Sequence, residues 1–231
     1  MLLHYQPNID LGTLSLSEDE SRHAAKVLRV KNGDILDLTD GKGNFYKIRI
    51  TKSDPRKCIF EIQEKKSQPK RSFFIHLAIA PTKNTDRIEW FVEKCVEIGV
   101  DKISFIVCQN SERRSINRDR IEKIAISAMK QSGQYWLPEI VDCGPVLEIL
   151  KESSSQKFIA YVDQSNPHHL KSLAKPNQDY LVLIGPEGDF NKEELLSAEQ
   201  AGFSKVSLGT TRLRTETAGV AACHILNLVN Q

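Results

Sequence analysis

The 231-residue sequence lacks several patterns that identify common protein classes. It has no apolar run long enough to span a membrane. We therefore expect no membrane span. The start of the sequence has neither a basic region nor an apolar stretch, so we also expect no signal peptide. The five cysteines are scattered and form no C-x-x-C pair, which indicates reduced thiols in a cytoplasmic protein. The signatures G-x-G-x-x-G, G-x-x-x-x-G-K-[ST] and G-x-S-x-G are missing, and no histidine has metal-site spacing. We therefore expect no metal and no common nucleotide-binding loop.

Charge is distributed unevenly along the chain. The formal net charge is only +2, but residues 1–72 carry 14 Lys and Arg against 10 Asp and Glu. This small excess weakly favours a polyanionic partner at that end of the chain.

Two regions with different periodicity predict two domains. Residues 1–68 predict a helix over 18–30, capped by Ser17, and then three short strands separated by turn residues, which is typical of a small β-barrel. The charged, proline-bearing segment 65–72 predicts a linker. From residue 73 onward, strands alternate with amphipathic helices. This α/β pattern predicts a mainly parallel sheet that is covered on both faces.

The most informative segment follows the apolar run 180–184, which predicts a buried strand. Gly185, Pro186, Glu187 and Gly188 cannot continue that strand, and Asn191 has the spacing of a helix cap. The turn therefore lies at the carboxyl end of a strand, where open α/β sheets bind ligands. A tight strand-to-helix connection is enough to explain the glycines and the proline. It does not explain Glu187, because a charge beside a buried strand needs a partner or water.

A second turn of this kind begins at Leu208 and Gly209. Only one helix separates it from the first turn, so we expect the two turns to form one pocket. Thr215 and Glu216 can serve simply as the cap and first turn of the last helix. Arg214 is harder to explain by structure alone, because guanidinium groups suit phosphates and base edges.

Basic side chains form two further groups. One lies on the predicted first helix, where Val27 and Leu28 are expected to face inward, and the other lies around residues 113–123. Each group is either a solvated face or a phosphate-binding surface. The residues we single out for RNA binding are Arg22, Lys26, Arg29, Arg113, Arg114 and Arg118.

Taken together, these motifs resemble one family. Residues 183–188 and 208–218 resemble the two signature loops of the RsmE family, the 16S rRNA uracil-N3 methyltransferases of the SPOUT superfamily. Residues 22–34 resemble that family's amino-terminal domain, and residues 93–100 resemble its QKATELGV segment. Residues 131–138 resemble a further block. The similarity covers nearly the whole chain in the right order.

The resemblance implies a fold and an activity. The fold is a PUA-like RNA-binding barrel over residues 1–68 and a SPOUT α/β domain with a trefoil knot over residues 73–231, in a homodimer. The activity is S-adenosylmethionine-dependent methylation of N3 of a specific uridine in the 16S rRNA of the small ribosomal subunit, uracil 1498 in the family. The cytoplasm is the expected location.

The resemblance also assigns site residues. Arg214 is expected to stabilise the anion of the uracil, with Arg113 or Arg114 as a candidate helper, and either Glu216 or water is the base. A third loop near residues 160–163 is expected to line the adenosine. The expected cofactor-binding residues are Tyr161, Val162, Ile184, Gly185, Pro186, Glu187, Gly188, Leu208, Gly209, Leu213, Arg214, Thr217 and Ala218.

Three departures from the family pattern concern RNA contacts more than the cofactor pocket. Asp189 stands where glycine is common, Gln134 where arginine is common, and residues 210–212 (Thr-Thr-Arg) where Pro-Arg-Ile is more usual. Two alternatives stay open: a SPOUT methyltransferase acting on tRNA or another rRNA site, and a non-catalytic RNA-binding assembly protein.

Overall fold

The computed structural model describes residues 3–161 and 168–231. The chain forms two compact units. One contains the residues up to Lys70 together with Ile126–Leu137, and the other contains Arg71–Ala125 together with Pro138–Gln231. The assignment of an RNA-holding domain to residues 1–68 and of a catalytic domain to residues 73–231 stays a prediction.

The first unit is built on a four-stranded sheet in the order β1-β2-β3-β4. Strand β1 runs parallel to β2, and the other neighbours are antiparallel. Two register shifts between β3 and β4 mark bulges, which bend strands and increase their twist. The predicted strands are confirmed within a few residues, and β1 is an addition. The elements are β1 (Leu3–Tyr5), a 3-10 turn (Ile9–Leu11), α1 (Glu18–Arg22), a π-helical turn (His23–Val27), β2 (Ile35–Thr39), β3 (Asn44–Lys52) and β4 (Ile59–Ser67).

The first helix differs from its prediction. Its cap is confirmed, because the Ser17 side chain accepts a hydrogen bond from the backbone of Glu20. The single α-helix expected to reach residue 30 is wrong, since after Arg22 the backbone widens into the π-helical turn. That change rotates the following side chains, and Val27 and Leu28 are 65% and 37% exposed instead of facing inward. Ala24 fills the core in their place.

The second unit contains a six-stranded, fully parallel sheet in the order β10-β8-β9-β5-β6-β7. Helix α3 begins in this unit, which holds its residues up to Ala125. The elements are β5 (Phe74–Ile79), α2 (Thr85–Ile98), β6 (Lys102–Val107), α3 (Arg118–Ser132), β7 (Glu139–Pro145), α4 (Val146–Ile149), β8 (Gln156–Ala160), α5 (Leu170–Leu173), β9 (Asp179–Ile184), α6 (Lys192–Gln200), β10 (Ser204–Val206) and α7 (Thr215–Val229).

Both faces of this sheet are buried, as predicted. On one face, Ala78, Leu181 and Leu183 pack with the apolar sides of α4 and α6. On the other face, Ile79 lies against α7, which in turn packs on α2. Central strands covered on both sides become continuous apolar runs, which is why β9 is buried from Tyr180 to Ile184.

Within the described residues, no helix is long and apolar enough to cross a membrane, and no three His, Cys, Asp or Glu side chains gather as metal ligands do. The five cysteines are free thiols, as expected, and all except Cys143 are buried.

Candidate active site

The first bend, residues 185–189 (Gly-Pro-Glu-Gly-Asp), follows β9 directly. A hydrogen bond of 2.9 Å from the Asp189 amide to the Pro186 carbonyl closes it, and Asp189 has a positive φ of 62°. A Cβ on Gly185 would lie 2.9 Å from the ring of Phe190, so this position requires glycine. The predicted cap of the next helix is confirmed, because Asn191 and Glu194 form a reciprocal capping box.

The second bend, residues 208–214 (Leu-Gly-Thr-Thr-Arg-Leu-Arg), joins β10 to α7. The residue at the helix cap is Arg214, which makes no side-chain capping bond, and Thr215 is the first helical residue. The interpretation of Thr215 as the cap is therefore wrong by one position. Its hydroxyl instead donates a hydrogen bond of 3.1 Å to the Gly185 carbonyl. Thr215 thus fastens the last helix to the first bend.

The two bends line one cavity of about 800 Å³, which confirms that they form a single pocket. Ala160 and Tyr161 add a third wall at the end of β8. Gly188 and Thr217 are not among the lining residues, and Val162 falls outside the described residues. The other predicted cofactor-binding residues all line the cavity: Tyr161, Ile184, Gly185, Pro186, Glu187, Leu208, Gly209, Leu213, Arg214 and Ala218.

Arg87, which the sequence analysis did not single out, supplies a charge to this cavity. From the first turn of α2, its Nη1 lies 3.2 Å from Oε1 of Glu187 and its Nε lies 3.8 Å from Oε1 of Glu216. The first contact gives the Glu187 charge the partner that it needed. A weak signal was present in the sequence, because a cation in the first turn of a helix opposes the helix dipole.

Glu216 is 6% exposed, although it bears a carboxylate. It follows the cavity-lining residues Arg214 and Thr215, but it is not itself among the lining residues. Its Oε2 atom is buried, and no hydrogen-bond donor within the described structure reaches it. Such an acceptor is costly unless a bound molecule supplies the missing donor.

Two more arginines and an aspartate complete the electrostatics of the cavity. In the described part of the chain, the Arg214 guanidinium has no ion pair and no side-chain hydrogen bond, so it is available to a ligand. Burial raises the pKa of Asp189, opposed by a hydrogen bond from the backbone of Phe190 and by the charge of Arg212. The cavity therefore combines apolar walls with charges of both signs.

The six residues predicted to bind RNA lie outside this cavity. Lys26 and Arg29 are exposed, and Arg22 pairs with Glu18 at 2.7 Å. The guanidinium of Arg113 donates to the Lys83 carbonyl. Arg114 lies on a second cavity of about 480 Å³, and Arg118 pairs with Glu122 at 2.8 Å. Their roles stay predictions.

His76 is a core histidine whose ring nitrogens both have partners. Its Nε2 lies 2.8 Å from the Ser104 hydroxyl and its Nδ1 lies 3.4 Å from Oε2 of Glu152. Burial, followed by the charge of Lys102, lowers its pKa to about 3. His76 does not line the cavity.

Comparison with known proteins shows which families this chain resembles. A family model described as an RNA methyltransferase domain matches residues 69–227, and one described as an RNA methyltransferase PUA domain matches residues 16–63. Ribosomal RNA small subunit methyltransferase E of Buchnera aphidicola is 30% identical over 230 residues, which cover 95% of this chain and 90% of the relative. The chain belongs to the ribosomal RNA small subunit methyltransferase E family.

Solved structures of similar proteins support this membership. A probable rRNA methyltransferase from Porphyromonas gingivalis is 43% identical, with a TM-score of 0.94 over 100% of this chain and 98% of its own. A ribosomal RNA small subunit methyltransferase E from Neisseria gonorrhoeae, bound to S-adenosyl methionine, is 28% identical with a TM-score of 0.86 over 100% and 98% of the two chains. The predicted combination of an α/β methyltransferase domain and a PUA domain is confirmed.

Proposed function

We propose that this protein methylates N3 of a specific uridine in 16S rRNA of the small ribosomal subunit and takes the methyl group from S-adenosylmethionine. The observation that carries the proposal is the single cavity built by the two bends, with Arg214 on its wall and without a charged partner among residues 3–161 and 168–231. The chain's membership of the methyltransferase E family, whose members' name refers to small-subunit rRNA, supports the substrate class.

The residues of the cavity fit S-adenosylmethionine. A volume of about 800 Å³ is within the range of cofactor pockets. Ile184, Leu208 and Leu213 offer apolar contact to an adenine ring, and the backbone of the two bends offers hydrogen bonds. Glu187 suits the positive groups of the cofactor. The Neisseria gonorrhoeae relative was crystallised with this molecule.

When bound, the cofactor supplies an already activated methyl group. The protein must therefore hold the uracil in line and stabilise charge. As the N3 proton leaves, negative charge spreads onto the two uracil carbonyl oxygens. Arg214, on the cavity wall, stabilises that charge. Arg113 and Arg114, the helpers expected from the sequence, lie outside the cavity. Glu216 or water takes the proton. Since N3 lies on the pairing edge of the base, the uridine must be unpaired when it enters.

The remaining expectations complete the proposal. Residues 1–68 hold RNA with Arg22, Lys26 and Arg29, and residues 73–231 carry out the transfer with Arg113, Arg114 and Arg118 holding phosphates. The carboxyl-terminal domain contains the trefoil knot of the SPOUT superfamily. The protein acts in the cytoplasm as a homodimer.

One experiment tests the function and both alternatives. Purified protein is incubated with labelled S-adenosylmethionine and 30S particles from cells that lack the enzyme, and the modified nucleosides are identified by mass spectrometry. We expect label in 3-methyluridine from 16S rRNA. Label in a ribose methyl group or in tRNA supports another methyltransferase, and absence of label together with RNA binding supports the assembly protein.

A further inference from the structure

Arg87 occupies an unfavourable place for a cation. It is the third residue of α2, close to the positive end of the helix dipole. Its side chain is 35% exposed, so it has also lost much of its hydration. Both costs indicate that Arg87 is held there by the two acidic side chains that it meets.

These two acidic side chains come from different parts of the cavity. Glu187 belongs to the first bend, and Glu216 follows the second bend. Arg87 therefore connects both bends through side chains, in addition to the hydrogen bond between Thr215 and Gly185. Losing Arg87 would leave the 6% exposed Glu216 without its counter-charge.

The contact with Glu216 fixes one oxygen and leaves the other open. The 3.8 Å between Nε and Oε1 is an ion-pair distance, too long for a hydrogen bond. The buried Oε2 has no partner in the described structure. Burying a carboxylate with one unpaired oxygen costs free energy, and the nearby cation Arg87 offsets part of that cost. The unpaired oxygen can accept one further hydrogen bond.

We propose that Arg87 is a positioning residue that holds Glu216 by one oxygen, and that the other, Oε2, which is buried behind the cavity wall in the ligand-free protein, accepts the N3–H group of the target uracil once the base has entered. This inference rests on the proposed function and decides the base in favour of Glu216 over water. The proton leaves N3 for Oε2 and passes to solvent after turnover, so Glu216 is ionised again for the next cycle.

The test is a cycle of three variants, Arg87→Gln, Glu216→Gln and the double variant, with Lys94→Gln as a control. Lys94 lies on the same helix, is 32% exposed and pairs with Glu93 and Glu97, so its loss removes a similar ion pair elsewhere. Three quantities are measured: Tm without any ligand, Kd for S-adenosylmethionine by calorimetry, and kcat for methyl transfer to 30S particles.

Arg87→Gln is expected to lower kcat at least tenfold, beyond a rise of about fivefold in the Kd for S-adenosylmethionine that comes from loosening the bends, and to have no further effect on kcat once Glu216 is glutamine. In the ligand-free protein it lowers Tm by several degrees. The double variant recovers part of that loss, because a neutral glutamine needs no cation. Lys94→Gln changes none of these quantities by a comparable amount.

Two results would overturn the inference. One is an Arg87→Gln effect on kcat of equal size with and without the Glu216 carboxylate, and the other is a double variant with a lower Tm than Arg87→Gln. The failure of the proposed function looks different: the wild-type protein itself would neither bind S-adenosylmethionine nor methylate the particles, while the Tm cycle would still report on the Arg87–Glu216 contact.

Discussion

Replacing Thr215 by valine removes the hydrogen bond that fastens the last helix to the first bend. Valine has nearly the same shape as threonine, so the change removes little except the hydroxyl. That hydroxyl donates a hydrogen bond of 3.1 Å to the Gly185 carbonyl. Because Thr215 is only 6% exposed, water has poor access to replace it. A net hydrogen bond contributes about 1 kcal/mol, and a buried carbonyl left without a donor costs up to about 3 kcal/mol. We expect the free energy of unfolding to fall by about 1–3 kcal/mol.

The same change should weaken cofactor binding. If about 1 kcal/mol of the loss falls on the arrangement of the bends, Kd for S-adenosylmethionine rises about fivefold. Urea denaturation and calorimetry measure the two quantities. Thr215→Ser keeps the hydroxyl and is the matched control, with Kd expected within about twofold of the wild type. If the valine and serine variants are equal in both stability and Kd, the hydrogen bond does not organise the cavity.

Three further predictions address catalysis, packing and pH. Arg214→Ala should lower kcat about a hundredfold or more, with a smaller effect on the Kd for S-adenosylmethionine; unchanged turnover in a steady-state assay would exclude its catalytic role. Gly219→Ala places a Cβ 2.3 Å from the Phe91 ring and should destabilise by about 1–3 kcal/mol in urea; equal or higher stability would contradict the packing. The pKa of His76 is about 3 in the folded protein, against an ordinary value of 6.5. Between these two pH values the unfolded chain binds a proton at His76 and the folded chain does not. Stability should therefore fall as pH drops below about 6.5, by up to about 1.4 kcal/mol per pH unit, and less steeply in His76→Gln; equal slopes would refute this.

The elements that the sequence predicts well are those whose signal is local. The central strand β9 is a continuous apolar run because it is buried on both faces, and the Asn191 capping box needs only four residues. The pocket was also predictable, since two glycine-bearing turns follow strands at the same edge of one parallel sheet.

Edge strands were harder to predict. Strand β1 has three residues, and β7 mixes exposed and buried positions because a neighbour pairs with it on one side only. Such strands lack the apolar run of a central strand, so the sequence gives little signal for β7. The exposure of Val27 depends on a π-helical turn, which no periodicity argument anticipates.

The contacts within the site depend on distant parts of the chain. Arg87 and Glu187 are 100 positions apart, so no spacing rule brings them together. Thr215 reads as a cap from its neighbours alone, and only the fold directs its hydroxyl to Gly185.

Calorimetry tests most directly whether the two bends form one site for S-adenosylmethionine. The purified, ligand-free protein is titrated with S-adenosylmethionine and then with S-adenosylhomocysteine as competitor. We expect saturable binding at one site per chain, displaced by the competitor. Absence of saturable binding by a folded protein would contradict the single site.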